Sequence, residues 1–238
     1  MKFHLLKFNN LDIYEQLLLE EALLRTDDRN FCIINNGSPK AIVLGISSSV
    51  EKFVNHKKTH ENSIPLIKRY SGGGTVFVDS NTIFVSFIVN KEIINNHLFP
   101  ETIHNWAEKI YKDVFNFNGF ALKENDYVIK DKKFGGNAQY IKKNRCVHHT
   151  TFLWDFEAEN MNCLLFPPKT PNYRKERNHL DFLTKIKHHF KSKELLIEQL
   201  EKTLSKHFVS EEIKLDKLDI SKDCRKSTKK IIPPLRGM

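Results

Sequence analysis

The sequence predicts an α+β domain: a mixed, mainly antiparallel sheet with helices packed on it. Three observations carry that expectation. Strand-like and helical runs alternate irregularly, without the regular strand–helix–strand repeat of a parallel fold. Dense turn signals, Asn35-Asn36-Gly37-Ser38-Pro39 above all, join neighbouring strand-like runs and favour hairpins alongside crossovers. The composition, 40% apolar and 28% charged over 238 residues, is that of a soluble globular protein of one domain with a small appendage.

Residues 3–8 read as a first strand. Asp12 caps a helix over 12–25, with Tyr14, Leu17, Leu18, Ala22 and Leu24 on its apolar face. Strands follow at Phe31–Ile34 and Ala41–Leu44, then a short helical segment near Val50–Val54. A strand at 64–69 runs into the triple glycine Gly72-Gly73-Gly74 and out through strands at 75–78 and 82–89. The run Thr82 to Val89 is apolar almost throughout, so both its faces are expected inside. Pro100 opens a helix with Ile103, Trp106, Ala107, Ile110, Tyr111 and Val114 at helical spacing, ending near Asn118-Gly119. Three strands are expected at Tyr127–Ile129, Phe134–Tyr140 and Cys146–Trp154, and a short helix over 158–165. Residues 166–189 read as a long surface loop with some helical turns. A helix over 192–206 and a strand over Val209–Leu215 complete a domain spanning 1–215. Residues 216–238 read as a basic, mobile tail. No internal repeat is visible.

Several functional classes are disfavoured at this level. No apolar run approaches the roughly 18 residues of a membrane span. The N-terminal stretch is too interrupted for a secretory signal, so a cytoplasmic chain, or an organellar one in a eukaryote, is expected. Four cysteines without CxxC spacing point away from zinc and from a disulfide framework. The formal charge of +9 permits an acidic partner. An RNP-like aromatic motif and a leading helix-turn-helix are missing, which argues against nucleic acid.

Two glycine motifs carry the chemistry. Lys68-Arg69-Tyr70-Ser71-Gly72-Gly73-Gly74 sets two cations beside a backbone free to expose N–H groups to an anion. By itself it reads more readily as a flexible hairpin turn. Lys133-Phe134-Gly135-Gly136-Asn137-Ala138-Gln139 repeats the combination of a cation and small residues. Asn125-Asp126 precede it and His148-His149 follow it. Asp126 is a candidate for Mg²⁺ or, equally, a turn residue. His149 reads more as a satisfied core histidine than as an acid–base group.

This ordered series resembles the lipoate–protein ligase A family, within the biotin/lipoate ligase and octanoyltransferase superfamily, over roughly residues 10–190. The resemblance implies the catalytic-domain fold shared with biotin ligases and related to class II aminoacyl-tRNA synthetases. It implies a two-step reaction in which lipoate and ATP, with Mg²⁺, give lipoyl-AMP, and an acceptor lysine then takes the lipoyl group. Lys133 matches the lysine that contacts carboxylate and phosphate. Arg69, Ser71, Gly72, Gly73, Gly74, Thr75, Phe77 and Asn81 match the loop around the acyl-adenylate. Asn125, Gly136, Asn137, Ala138 and His149 match further binding positions, and Asp126 the metal side. Acceptors would be lipoyl domains of 2-oxoacid dehydrogenase E2 subunits or the glycine-cleavage H protein, approached by a monomer.

Three departures stand out. Val78-Asp79 replaces a His-Asp pair, and Thr150 replaces a glycine after the histidine. About fifty residues follow the long loop, where larger ligases carry an accessory domain, so a separate accessory subunit, a short chain working alone and a different activity all stay open. One rival is an octanoyl or lipoyl transferase acting through a Cys163 thioester. Another is a non-catalytic protein that binds lipoate or lipoyl domains.

Overall fold

The computed structural model describes residues 2–218 and 226–231. In chain order the elements are β1 (Lys2–Asn9), α1 (Ile13–Thr26), β2 (Phe31–Asn36), β3 (Ala41–Leu44), α2 (Val50–Phe53), α3 (His56–Glu61), β4 (Leu66–Lys68), β5 (Val76–Val78) and β6 (Thr82–Asn90). There follow α4 (Pro100–Val114), β7 (Phe120–Lys123), β8 (Asp126–Ile129), β9 (Lys132–Ile141), β10 (Arg145–Leu153), α5 (Ala158–Met161), α6 (His179–Phe182), α7 (Lys193–His207), β11 (Val209–Glu212) and β12 (Lys229–Ile231). Single 3₁₀ turns lie at Lys91–Ile94, Asn172–Arg174, Ile186–His189 and Leu215–Lys217.

The strands form two sheets where the sequence led us to expect one. The larger has the order β11-β1-β2-β6-β10-β9-β8-β7, the smaller β12-β4-β3-β5. Parallel pairing is confined to β1 with β11, β1 with β2, and β3 with β4; the other ladders are antiparallel. The mixed, mainly antiparallel character therefore holds.

Strand β6 explains the layering. Successive side chains alternate between faces, so Ile83, Val85, Phe87 and Val89 pack with Ile103, Ala107 and Ile110 of α4 and with Leu196 and Leu200 of α7. Phe84 and Ile88 point the other way, toward Ile13, Leu17 and Leu24 of α1 and Val43 and Val78 of the small sheet. Both faces are buried, as the unbroken apolar run predicted. Ser86, the polar residue on the α1 side, is fully buried as well.

α1 begins where the Asp12 side chain accepts the Tyr14 N–H at 2.8 Å, and α4 begins at Pro100, whose missing N–H is harmless at that position. β7, β12 and α3 escaped the sequence reading. Phe120–Lys123 is short and becomes a strand only by pairing with β8. The tail expected to be mobile from 216 onward is in part a component of the fold. Lys229–Ile231 pairs antiparallel with β4, and the N–H groups of Ser227 and Thr228 donate to the Glu21 carboxylate at 2.8–3.1 Å. The rest of that tail, 219–225 and 232–238, lies outside the described residues. Residues 166–189 also run partly inside: Arg174 is 4% exposed and Phe182 is 3% exposed. Among the described residues no helix is long and apolar enough to cross a membrane.

Candidate active site

A cavity of about 510 Å³ lies between α1, the small sheet and the α1-facing side of the large sheet. Its apolar wall comes from Ile13 and Leu17, Val43, Val78 and Phe84; its polar wall from Asp126, Lys133, Arg174 and His179. These walls sit under β6 and β8, three strands apart in the sheet order. At about 4.8 Å per strand the cavity extends roughly 14 Å across the sheet, the shape of a trough for an extended chain with a charged head.

The first glycine motif is fixed from below. Arg69 donates from Nε and Nη2 to the Gly72 carbonyl at 3.1 and 2.7 Å, and from Nη2 to the Gly74 carbonyl at 2.8 Å. Lys68 donates to the Ser48 carbonyl. The two cations that the sequence placed beside an anion nest thus hold backbone. Burial pushes the Arg69 guanidinium down to about 10. Gly73 has φ +92°, and a Cβ there would stand 2.8 Å from Arg69 Nη2 and 3.1 Å from Ala138 Cβ, so only glycine fits. Added Cβ atoms at Gly72 and Gly74 would meet nothing within 4 Å.

The second motif carries Lys133. Its ammonium pairs with Asp126 Oδ1 at 2.8 Å, and Tyr173 donates to Asp126 Oδ2 at 2.8 Å. A β-bulge between Tyr127 and Val128 sets Gly136 opposite Asp126 while Lys133 stays opposite Val128. Gly136 leaves room for the lysine, since a Cβ there would lie 3.0 Å from Lys133 Nζ. Two bonds to backbone carbonyls complete the frame: Asn137 Nδ2 donates to the Asn125 carbonyl at 3.0 Å, and the Thr184 N–H to the Lys133 carbonyl at 2.8 Å.

The long loop supplies the third wall. Arg174 lies with its guanidinium 4.7 Å from both the Phe166 and the Phe182 ring centroids. It donates from Nε to the Arg177 carbonyl, and Arg177 returns the bond. Lys175 and Glu176 take left-handed backbone, φ 49° and 58°, which turns Arg174 inward. Burial, then Arg174 and Lys133, push His179 down to about 4, so its imidazole is neutral beside two cations. Burial and the Asp126 carboxylate raise the Tyr173 phenol, which stays a donor.

Arg69, Gly73, Gly74, Thr75, Phe77, Asn125, Asp126, Lys133, Gly136, Asn137, Ala138 and His149 all line this one cavity. Ser71 and Gly72 stand behind the lining, Ser71 fully buried with its Oγ 2.9 Å from His149 Nε2. Asn81 is not brought to the cavity. It sits in the turn after β5, its N–H donating to Asp79 Oδ1 and its carbonyl accepting from Trp154, and it lines no part of the cavity. Both Asp126 oxygens are engaged, by Lys133 and Tyr173, and no group of three His, Cys, Asp or Glu suited to a metal occurs among the described residues.

Two departures from the family pattern fall in this cavity. Val78 is buried and lines the trough. Thr150 also lines the cavity; its hydroxyl donates to Asn137 Oδ1 at 2.6 Å and accepts from the Tyr111 hydroxyl at 3.3 Å. Cys163 is 2% exposed, packs with Met161 and Phe156, and is raised by burial. It lines no part of the cavity. Cys32 and Cys146 are buried with raised thiols, the latter to about 12. Cys224 lies outside the described residues.

The sequence reading missed Glu20. This carboxylate is wholly buried on α1 and accepts from His149 Nδ1 at 2.8 Å, Ser86 Oγ at 2.6 Å, Gln16 Nε2 at 2.9 Å and the Tyr70 hydroxyl at 3.3 Å. Its signal was visible: Glu20-Glu21 interrupts a leucine-rich run at positions a helix must bury. Tyr173 carried no comparable signal.

Comparison with known proteins follows the same lines. Residues 12–209 match the profile of the lipoyl protein ligase A/B catalytic domain. A Plasmodium falciparum protein named inactive lipoate–protein ligase 2 is 35% identical over 235 residues, covering 74% of this chain and 61% of that protein. The chain thus spans less than two thirds of that relative's length. A solved lipoate-protein ligase A bound with ATP has the same fold, with a TM-score of 0.76 at 17% identity over 90% of each chain. So does a bipartite lipoate protein ligase from Thermoplasma acidophilum, studied with its E2 lipoyl domain, at a TM-score of 0.75 and 18% identity over 90% of this chain and 88% of that one.

Proposed function

The chain belongs to the lipoyl protein ligase A/B catalytic-domain family, and from that premise we propose that it joins lipoate to ATP and passes the lipoyl group to a lysine of a lipoyl domain. The observation that carries this reading is Lys133, one ammonium set in a wall with Arg174 and His179 that shares a single cavity with an apolar trough. The trough suits an aliphatic acyl chain; the cationic wall suits its carboxylate and a phosphate.

In the first step a carboxylate oxygen attacks the α-phosphorus of ATP, the bond to pyrophosphate breaks, and lipoyl-AMP forms. Bringing two anions together is the obstacle, and fixed cations and N–H donors lower it. Lys133 would leave Asp126 and bridge carboxylate and phosphate, while Asp126 stays held by Tyr173. Arg174 would add charge from the side. Because Arg69 holds the loop carbonyls, the glycine N–H groups can turn toward the phosphate. In the second step the neutral amine of the acceptor lysine attacks the acyl carbon. The bond to AMP breaks, and the nitrogen loses its proton to solvent. The net positive charge suits an acidic acceptor surface.

A route through a cysteine thioester is not supported, because the described cysteines are buried, raised in pKa and off the cavity. A second reading, binding without turnover, has specific support in the relative named inactive. The deciding experiment mixes the purified chain with an apo-lipoyl domain and lipoate, with and without ATP, and weighs the acceptor. An ATP-dependent gain of one lipoyl group upholds ligation. Lipoate binding with neither acceptor gain nor lipoyl-AMP in the same tube overturns it in favour of the binding reading.

A further inference from the structure

The fully buried Glu20 has no part in the chemistry above, yet more hydrogen bonds converge on it than a core position requires. Its Oε1 takes Ser86 and Gln16, and its Oε2 takes His149 and Tyr70. Burial alone would raise this carboxyl, but His149 and the bonds from Ser86 and Gln16 bring it below its ordinary value. It is therefore ionised, and an ionised carboxylate only accepts. His149 Nδ1 must carry the proton it donates. Nε2 of the same ring stands 2.9 Å from the Ser71 hydroxyl.

The chain of bonds has a direction. The sheet register sets His149 directly opposite both Ser86 and Ala138, so its ring rises from the floor toward α1, where Glu20 waits. Gln16, one turn earlier, is itself held by Asn35 Nδ2 at 2.9 Å. At the other end stand Tyr70 and Ser71, the two residues that lead into Gly72-Gly73-Gly74. Arg69 holds that loop by its carbonyls; Glu20 holds its entrance through two side chains. Among the described residues, the Gly73 and Gly74 N–H groups find no protein acceptor. Two backbone bonds, from the Ile46 N–H to the Ser71 carbonyl and from the Gly72 N–H to the Gln139 carbonyl, add to these two side-chain anchors.

We propose that Glu20 is a positioning residue, which through His149 and Ser71 fixes the glycine loop with its N–H groups facing the cavity. Glu20, which with Gln16 and Ser86 also lines the cavity, acts in this role through His149 and Ser71. The relay does not depend on which acyl compound or nucleotide the cavity takes; only the kinetic arm of its test rests on the ligase reading.

The test is hydrogen exchange by mass spectrometry on the whole chain without ligand, comparing Glu20→Gln, Ser71→Ala and the double variant. Gln keeps the size of Glu20 but sets an NH₂ group against donors. The relay predicts that exchange over residues 69–72, where the Arg69 and Gly72 N–H groups are hydrogen-bonded, rises about tenfold or more in each single variant, with β6 and β10 unchanged. It also predicts that the double variant exchanges no faster than the faster single, because both cut one chain of bonds. Unchanged loop exchange in either single variant, or single effects that multiply in the double, overturns the proposal. Should Glu20→Gln fail to fold, Ser71→Ala and His149→Gln decide alone, since both leave α1 intact. If lipoyl-AMP is formed, the same variants should lower its kcat about tenfold with the KM for lipoate little changed. A loss confined to that KM would mark a tunnel residue instead.

Discussion

Lys133 and Gly73 serve the cavity in opposite ways, one by what it brings and the other by what it lacks. Removing the Lys133 ammonium in Lys133→Met leaves Asp126 to face the incoming anions uncompensated. Loss of one such stabilising donor slows comparable reactions by about 10²–10³-fold. Lipoyl-AMP formation should fall by that order, measured by single-turnover quench, while lipoate still binds; retained turnover would remove Lys133 from its role. Gly73→Ala forces a Cβ into left-handed backbone at φ +92° and against Arg69. Strain of this kind amounts to about 1–3 kcal/mol. The melting temperature should drop accordingly, and an unchanged melt would show that the loop can rebuild. At this scale much of the site was legible. Lysine and glycine in two spaced motifs marked Gly73, Gly74, Lys133, Gly136 and Asn137, all of which line the cavity, because their chemistry is local. Glu20 was harder, because a buried charge takes its meaning from partners on other elements.

The C-terminal strap illustrates what one element does to another. β12 pairs with β4, the strand that ends at Lys68 and leads into the glycine motif. Thr228, 5% exposed, and Ser227 cap the buried Glu21, which also pairs with Arg25 at 2.7 Å. Glu21 neighbours Glu20, so the strap braces the helix that anchors the loop. Hydrogen bonds to a charged group contribute about 1.5–3 kcal/mol each and neutral ones about 0.5–1.5. Glu21→Gln should therefore destabilise the protein more than Thr228→Val does, as read from urea midpoints. Limited proteolysis should then release the C-terminal segment first. Equal stability in both variants would show the strap to be incidental. The sequence hid this strand for a physical reason: Lys229–Ile231 is too short and too charged to show a period, and its order comes from the carboxylate and the β4 edge.

For the whole molecule, two histidines behind the sheet set an acid limit. His148 is wholly buried, and burial holds it well below its ordinary value, with His104 and His149 adding to the effect. His104, 7% exposed, is lowered by burial with Asp126 opposing, and its ring lies 5.4 Å from that of His148. Gln139 and Thr150 complete their surroundings. Both rings are neutral when folded and take up protons when unfolded below the ordinary value of 6.5. Stability is thus full above about that pH and falls as the pH drops. The slope approaches about 1.4 kcal/mol per pH unit for each histidine. Urea midpoints between pH 7 and pH 5 should show the decline, and His148→Asn should flatten it; a flat wild-type curve would contradict the assignment. The α+β class and the two-faced burial of β6 were readable from the sequence, since each follows from periodicity. The division into two sheets was not, because it is decided by which edges meet.

β12 also has a meaning for synthesis. β4 precedes the glycine motif by a few residues, yet its outer partner is Lys229–Ile231, and the outer partner of β1 is β11. A chain emerging from the ribosome exposes the loop, Lys133 and the trough long before it can finish either sheet. Domains tend to fold as units as they emerge, and pairings this distant in sequence form slowly. The binding cavity should therefore become competent only once Lys229–Ile231 has emerged. Nascent chains stalled before residue 226 should leave the loop open to protease, however much of the cavity lining they already contain.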